Sequence, residues 1–127
     1  MPPLPMTDAD LEARRQIEAL QELFRPHLAD RVREIEAAWE ALQVDGDGTR
    51  PAGEPPLRRF YRLAHSLAGT AGSFGYPAVG TAARELERHL HALLPAEGQE
   101  YLEVPPSAEI LRLLAALARA ADAAVRA

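Results

Sequence analysis

Apolar residues recur at alternating spacings of four and three along most of this chain, and this periodicity is the strongest constraint on its fold. One unbroken example occupies positions Leu28, Val32, Ile35, Trp39 and Leu42. Such spacing places the apolar side chains on one face of an α-helix. The alternation of apolar and polar residues that marks half-buried strands is nearly absent. The sequence therefore predicts an all-α fold.

Helix start and stop signals divide the pattern into four long segments. Thr7 is the predicted N-cap of the first segment, with Asp10 three residues later as in a capping box. The apolar stripe that follows is Ile17, Leu20 and Phe24. Pro26 is then expected to split or kink this segment, because proline removes a backbone hydrogen bond.

The other three segments have equally local signals. The second is predicted to open at Pro56 and to run to about Phe74, with Gly75 as its stop. Its predicted core face is Leu57, Phe60, Ala64, Leu67, Ala71 and Phe74. Pro77 starts the third, which is predicted to bury Val79, Ala83, Leu86, Leu90 and Leu93. Ser107 caps the fourth, whose apolar face is Ile110, Leu113, Leu114, Leu117, Ala121 and Ala124.

A chain of 127 residues predicts one domain over 1–127. Residues 1–6 are expected to be a flexible tail, and 44–56 and 95–106 are expected to be loops. Antiparallel packing of the segments gives an up-down-up-down four-helix bundle. The Asp-Gly pairs at 45–48 lack the later ligands of a calcium loop, so a solvated turn is expected there.

Composition excludes several classes of function. The formal net charge is −5, and all 14 basic residues are arginine. An acidic chain with no basic block is a poor nucleic-acid binder. Cysteine is absent and no two histidines lie three or four residues apart, so no metal site is expected. Nothing resembles a phosphate-binding glycine loop, so the chain is expected not to be an enzyme with its own ATP chemistry.

The sequence also gives no signal for a membrane. It contains no run of about 18 apolar residues, as a spanning helix would need. Residues 1–5 lack the basic and apolar regions of a signal peptide. We therefore expect a cytoplasmic protein that does not associate with membranes.

His65 lies in a helical segment that carries glycines on the histidine's own face. At 100° per residue, one stripe lies about 120° from the centre of the apolar face. Its members are Arg58, Arg62, His65, Gly69 and Gly72. Each interior glycine costs a helix about 1 kcal/mol relative to alanine. If this face only contacted water and His65 had no role, glycine would offer no advantage over alanine to offset that cost. The glycines indicate either close packing inside the bundle or close approach by a partner protein, and the wheel favours the partner.

The segment 65–75 resembles the signature of histidine-containing phosphotransfer (HPt) domains, and it is similar to the phosphotransfer domain of chemotaxis histidine kinases. That signature is a histidine followed by leucine or isoleucine, lysine, glycine, a small pair and a further glycine. The matching positions are His65, Leu67, Gly69, Ala71, Phe74 and Gly75, with Leu86 and Glu87 in the next helix. The predicted helical layout agrees over nearly all of the remaining chain.

The resemblance implies that His65 is the phosphoacceptor and attacks through an imidazole nitrogen. It implies that Glu87, 22 residues later, forms a hydrogen bond with the other ring nitrogen. A carboxylate there holds the tautomer and stabilises the positive charge that develops on the ring. Arg84 would extend the same site. The alternative is that Glu87 is an ordinary surface glutamate paired with Arg84 or Arg88.

One position departs from the signature, since the family's lysine, three residues after the histidine, is Ala68 here. We expect Arg62, one turn before His65, to supply the missing charge, with Arg58 and Arg84 as further candidates. Arginine binds phosphate oxygens with its planar fork, whereas lysine acts as a point charge. The surface that a partner approaches closely is expected at Ala68, Gly69 and Gly72.

The function that the resemblance implies is that of a phosphorelay intermediate. His65 would accept the phosphoryl group from a response-regulator receiver aspartate, or directly from a sensor histidine kinase, and pass it to a receiver. No cofactor is expected in this chain, because the magnesium ion would belong to the receiver. Tyr61 and Tyr76 are candidates for the docking surface, or they cap the core.

Two other hypotheses remain at this stage. Ala68 motivates a non-phosphorylated HPt-like adaptor that binds receivers or dimerises. An enzyme that uses His65 as a general base is a further possibility, but no second catalytic group is visible in the sequence.

Overall fold

The computed structural model describes residues 4–44, 55–94 and 107–126. It contains four α-helices, which are α1 (Asp8–Val44), α2 (Pro56–Ser73), α3 (Pro77–Leu93) and α4 (Ser107–Arg126). No strand occurs within these ranges, so the all-α prediction is confirmed. Most of the predicted loop 44–56, all of 95–106, and residues 1–3 of the predicted tail lie outside the described residues.

The first turn of α1 is fixed by the predicted capping box. The backbone N–H of Asp10 donates to Oγ1 of Thr7 over 3.1 Å, and the backbone N–H of Thr7 donates to a carboxylate oxygen of Asp10 over 3.0 Å. These bonds satisfy two N–H groups that a helix start otherwise leaves unpaired. The pKa of the Asp10 carboxyl lies below its usual value, first because the backbone N–H of Thr7 donates to it and second because the Thr7 side chain interacts with it.

α1 continues through Pro26 as one helix, so the alternative of a split at this residue is wrong. A proline inside a helix costs about 3 kcal/mol. Phe24 and Leu28 are both buried on either side of it. Burial of two such side chains contributes about 3–6 kcal/mol, which offsets the cost of the proline and keeps both halves of α1 in register with one core.

The apolar stripe at the start of α1 enters the core at its last residue, Phe24, which stacks on Phe74 of the α2 end. Ile17 is 52% exposed and Leu20 is 48% exposed, whereas Phe24 is the first buried side chain of α1. The physical reason is length. α1 has 37 residues, and the others have 17 to 20. At 1.5 Å per residue it spans about 55 Å against about 25–30 Å, so the part of α1 before Gln21 extends beyond its neighbours.

The helices form a closed ring in which each contacts two others. α1 packs on α2, α2 on α3, α3 on α4, and α4 on α1, and the contact between α2 and α3 is the most extensive. The core positions predicted for α2, α3 and α4 are all buried or partly buried. The bundle prediction is therefore confirmed. Within the described ranges, no helix combines the length and apolar character needed to cross a bilayer.

The connection between α2 and α3 is a tight turn at Gly75. The N–H of Tyr76 donates to the carbonyl of Ala71 over 2.8 Å, and that of Gly75 donates to the carbonyl of Gly72. These two hydrogen bonds close the end of α2. They require a residue in the left-handed backbone conformation, and that residue is Gly75, with φ 81°. Tyr76 is buried, and its hydroxyl donates to the carbonyl of Gln21 on α1 over 2.8 Å. Tyr76 therefore caps the core.

Candidate functional site

His65 projects from α2 with 65% of its side chain exposed, as the helical wheel predicts. The apolar face of the same helix is buried in the bundle at Ala64 and Leu67. These neighbours fix the rotation of α2 about its axis. The imidazole therefore lies on the open side of the bundle, where a large partner could reach it.

Glu87 of α3 contacts this imidazole directly. Its Oε1 lies 2.5 Å from Nδ1 of His65. The Glu87 side chain is only 20% exposed, so it is held between the helices while the ring remains largely open to solvent. An ionised carboxylate accepts hydrogen bonds and cannot donate them. The contact therefore favours the tautomer with the proton on Nδ1 and the lone pair on Nε2.

An open depression between α2 and α3 surrounds this pair. We refer to it as the His65 depression. Its lining residues are Tyr61, His65, Ala68 and Gly69 from α2, with Arg84, Glu87, Arg88 and His91 from α3. It is open to the surface, unlike the enclosed pockets that bury small ligands. Its shape suits a group that is delivered by another macromolecule.

Gly69 and Gly72 have open space where a side chain would be. A methyl group on either residue would meet nothing within 4 Å outside its own helix turn. Packing inside the bundle therefore does not require glycine at these two positions. Of the two explanations given by the sequence, close approach by a partner is the one that remains compatible with this geometry.

The glycine that lies inside the helix interface is Gly80 of α3, which the sequence reasoning missed. A methyl group there would lie 3.4 Å from the backbone nitrogen of Gly72 and 3.6 Å from the carbonyl oxygen of Ala68. The backbones of α2 and α3 are thus in close contact beside the site. A glycine inside a predicted helix, one turn after Tyr76, was the signal that could have identified this contact.

Ala68 is 3% exposed, although it was expected on the surface that a partner approaches. Its methyl group forms part of the floor of the His65 depression, while Gly69 and Gly72 are exposed beside it. The close contact with α3 covers Ala68. The bare backbone available to a partner is therefore that of the two glycines.

Tyr61 lies between two imidazoles. Its ring is stacked near that of His65, with centroids 6.0 Å apart and planes at 23°, and it is tilted against His91 at 5.7 Å. Tyr61 is half-buried and lines the His65 depression. Its ring therefore restricts movement of the His65 ring toward it. His91 carried no functional signal in the sequence because its neighbour Tyr61 belongs to a different helix.

The positive charges of the depression come from α3. Arg84 lines it, as does Arg88, which the sequence reasoning considered only as a possible partner of Glu87. Arg62 and Arg58 do not line it. On α2, Arg62 lies on the opposite side of His65 from Ala68, because the two residues are displaced by about 60° in opposite senses on the helical wheel. Within the described residues, Glu87 forms its ion pair with His65 and not with Arg84 or Arg88.

Metal ligands do not cluster in the part of the chain that the structure describes. No group of three or more histidine, aspartate or glutamate side chains there could hold a metal ion. The chemistry available at the site is that of an oriented imidazole nucleophile flanked by a carboxylate and two guanidinium groups.

Comparison with known proteins identifies the family. The family model described as "Hpt domain" matches residues 12–124, which is most of the chain. Searches of curated proteins and of solved structures gave no match. The matched range includes all of α2 and α3, and with them the exposed histidine, its carboxylate partner and the Gly75 turn. The chain therefore belongs to the Hpt domain family.

Proposed function

We propose that the protein is a phosphorelay intermediate that accepts a phosphoryl group on His65 from a receiver aspartate or from a sensor histidine kinase, and passes it to a response-regulator receiver. Membership of the Hpt family supports histidine phosphotransfer in general. The observation that carries the assignment to His65 is the exposed imidazole with Glu87 at Nδ1. A cytoplasmic location is part of this proposal.

The transfer step follows from the orientation of the ring. Nε2 of His65 attacks phosphorus with its lone pair and forms the N–P bond. The P–O bond to the donor aspartate breaks, and its electron pair leaves with the aspartate carboxylate. The proton on Nδ1 stays in place, so the phosphorylated ring carries a positive charge, which the Glu87 carboxylate stabilises. The reverse sequence delivers the group to the next receiver.

The rest of the machinery is supplied by the partner. Phosphoryl transfer depends on positioning and charge neutralisation more than on covalent help from the protein. A magnesium ion is proposed on the receiver, and no cofactor is proposed in this chain. Gly69 and Gly72 are proposed to let the receiver backbone come close to α2.

Arg62, Arg58 and Arg84 remain proposed sources of positive charge for the phosphoryl group. Arg84 has the strongest support, because it lines the His65 depression. For Arg62 the test is a comparison of the transfer rate of Arg62→Ala with that of the unmodified protein. An unchanged rate would remove Arg62 from the proposal.

The function is tested by a phosphotransfer assay with a panel of phosphorylated receivers, alongside a histidine kinase with ATP. We expect an acid-labile, base-stable label on the protein from at least one donor, and none on the His65→Gln variant. Labelling by receivers but not by the kinase would identify the receiver as the donor. Absence of label from every donor would refute the proposal.

A non-phosphorylated adaptor is the second candidate, and Ala68 is the observation that favours it. A phosphoryl group on His65 would have no cation at this α2 position. An adaptor would bind receivers through the same surface without accepting the group. Normal signalling in cells that carry His65→Gln would support the adaptor.

A further inference from the structure

Arg84 and Arg88 form a like-charged pair one turn apart on α3. Both residues are exposed, and both line the His65 depression. Neither forms an ion pair or hydrogen bond within the part of the chain that the structure describes. Like charges four residues apart destabilise a helix by about 0.2–0.5 kcal/mol. An anion bound to both guanidinium groups would remove this repulsion.

The phosphorylated site needs such a pair of cations. A phosphoryl group carries a charge of about −2 near neutral pH. Glu87 adds a carboxylate on the other nitrogen of the same ring, and its side chain is only 20% exposed. The methyl group of Ala68 contributes no charge. The single positive charge of the phosphorylated ring does not balance the phosphoryl group and the Glu87 carboxylate together, so guanidinium groups beside the phosphoryl oxygens would stabilise the site.

The placement of the arginines on α3 fits this need. Arg84 lies one turn before Glu87, and Arg88 directly follows it. Both lie on the outer side of Glu87 by helical geometry, away from the buried face at Leu86 and Leu90. Their side chains are long enough to reach over the depression, and a guanidinium group binds phosphate oxygens in a bidentate manner.

We propose that Arg84 and Arg88 together bind the phosphoryl oxygens on His65 and supply from α3 the charge that position 68 lacks on α2. This inference rests on the proposed function. The arginines take no part in bond making and keep their protons. They hold the phosphoryl oxygens while the N–P bond forms and the bond to the donor aspartate breaks.

The test compares charge-matched double variants of the full chain. Arg84→Ala/Arg88→Ala removes the proposed pair, and Arg119→Ala/Arg126→Ala removes two exposed arginines from α4. We expect phosphoryl transfer from a phosphorylated receiver to fall at least about tenfold in the first variant, as expected for loss of charge-assisted hydrogen bonds. The second variant should transfer like the unmodified protein.

A second readout separates phosphate binding from a merely structural effect. The proteins are labelled chemically with phosphoramidate, which needs no protein partner, and the phosphohistidine is titrated by ³¹P NMR. Nearby cations favour the dianion, so the phosphoryl pKa should be higher in Arg84→Ala/Arg88→Ala than in the α4 control. Equal titration curves and equal transfer rates in the two double variants would overturn the inference and leave the proposed function intact. Failure of every donor to label the unmodified protein would overturn both.

Discussion

Nδ1 of His65 on α2 lies 2.5 Å from Oε1 of Glu87 on α3. The contact bridges two helices that are joined by the tight turn at Gly75. The turn and the close backbone packing at Gly80 bring the two side chains together. The carboxylate is largely covered and the imidazole is largely exposed, so the ring is held at Nδ1 while most of its surface remains open to solvent.

Replacement of Glu87 should slow phosphoryl transfer without preventing folding. A hydrogen bond to a charged group contributes about 1.5–3 kcal/mol, so Glu87→Ala should lower the transfer rate by about one to two orders of magnitude. Glu87→Gln keeps an acceptor oxygen but loses the charge, so its transfer rate should lie between that of Glu87→Ala and that of the unmodified protein. Single-turnover transfer from a phosphorylated receiver measures this order. A Glu87→Ala protein as fast as the unmodified one would show that the carboxylate does not orient the ring.

Alanine at Gly69 or Gly72 should stabilise the fold and weaken partner binding. The methyl group meets nothing in the bundle, and each change should raise the free energy of unfolding by up to about 1 kcal/mol. The same methyl group would stand between α2 and an approaching receiver. Urea unfolding measures the first effect and calorimetric titration with a receiver measures the second.

The opposite result for these glycines would also be informative. A Gly69→Ala protein that is more stable and binds its receiver with unchanged affinity would contradict the close-approach explanation. The glycines would then be unexplained, because packing inside the bundle does not require them.

The sequence predicted what depends on neighbours along the chain. Pro56 and Pro77 begin α2 and α3, and Gly75 ends the first of these helices at a positive φ. Such signals act within one helical turn and need no knowledge of the fold. The exposure of His65 was predictable for the same reason, since the wheel of one helix defines its buried side.

Features that depend on two helices were not predictable in this way. Arg62 lies next to His65 along α2, yet Arg88 of α3 lines the depression and Arg62 does not. Which arginine lines the depression depends on which side of His65 faces α3, and this is a property of the packing of two helices. The exposure of Ile17 has a related origin, because periodicity shows that a helix has an apolar face but not whether another helix reaches it.

Substitution of Gly75 should destabilise the bundle. Its φ of 81° is one that side-chain-bearing residues rarely adopt, and a Cβ there would collide with the side-chain amide of Gln21. Gly75→Ala should cost about 1–2 kcal/mol. Gly75→Asn tests the cost of the positive φ, because asparagine tolerates this conformation better than alanine does. Gln21→Ala combined with Gly75→Ala tests the collision, because it removes the side chain that the Cβ would meet. Thermal unfolding of the three variants separates the two causes, and a Gly75→Ala protein with unchanged stability would contradict both.

Two isoleucines on α1 provide a matched test of where the bundle ends. Ile35 is 1% exposed and Ile17 is 52% exposed. Ile35→Ala should lower the free energy of unfolding by about 2–5 kcal/mol, because it leaves a cavity in the core. Ile17→Ala should change it by less than about 0.5 kcal/mol, because little burial is lost and alanine is the better helix former. Urea unfolding at several protein concentrations checks both values. A large loss for Ile17→Ala that grows with protein concentration would mean that the part of α1 before Gln21 is buried against a second copy of the chain, and the exposed apolar residues Ile17 and Leu20 would then form an interface.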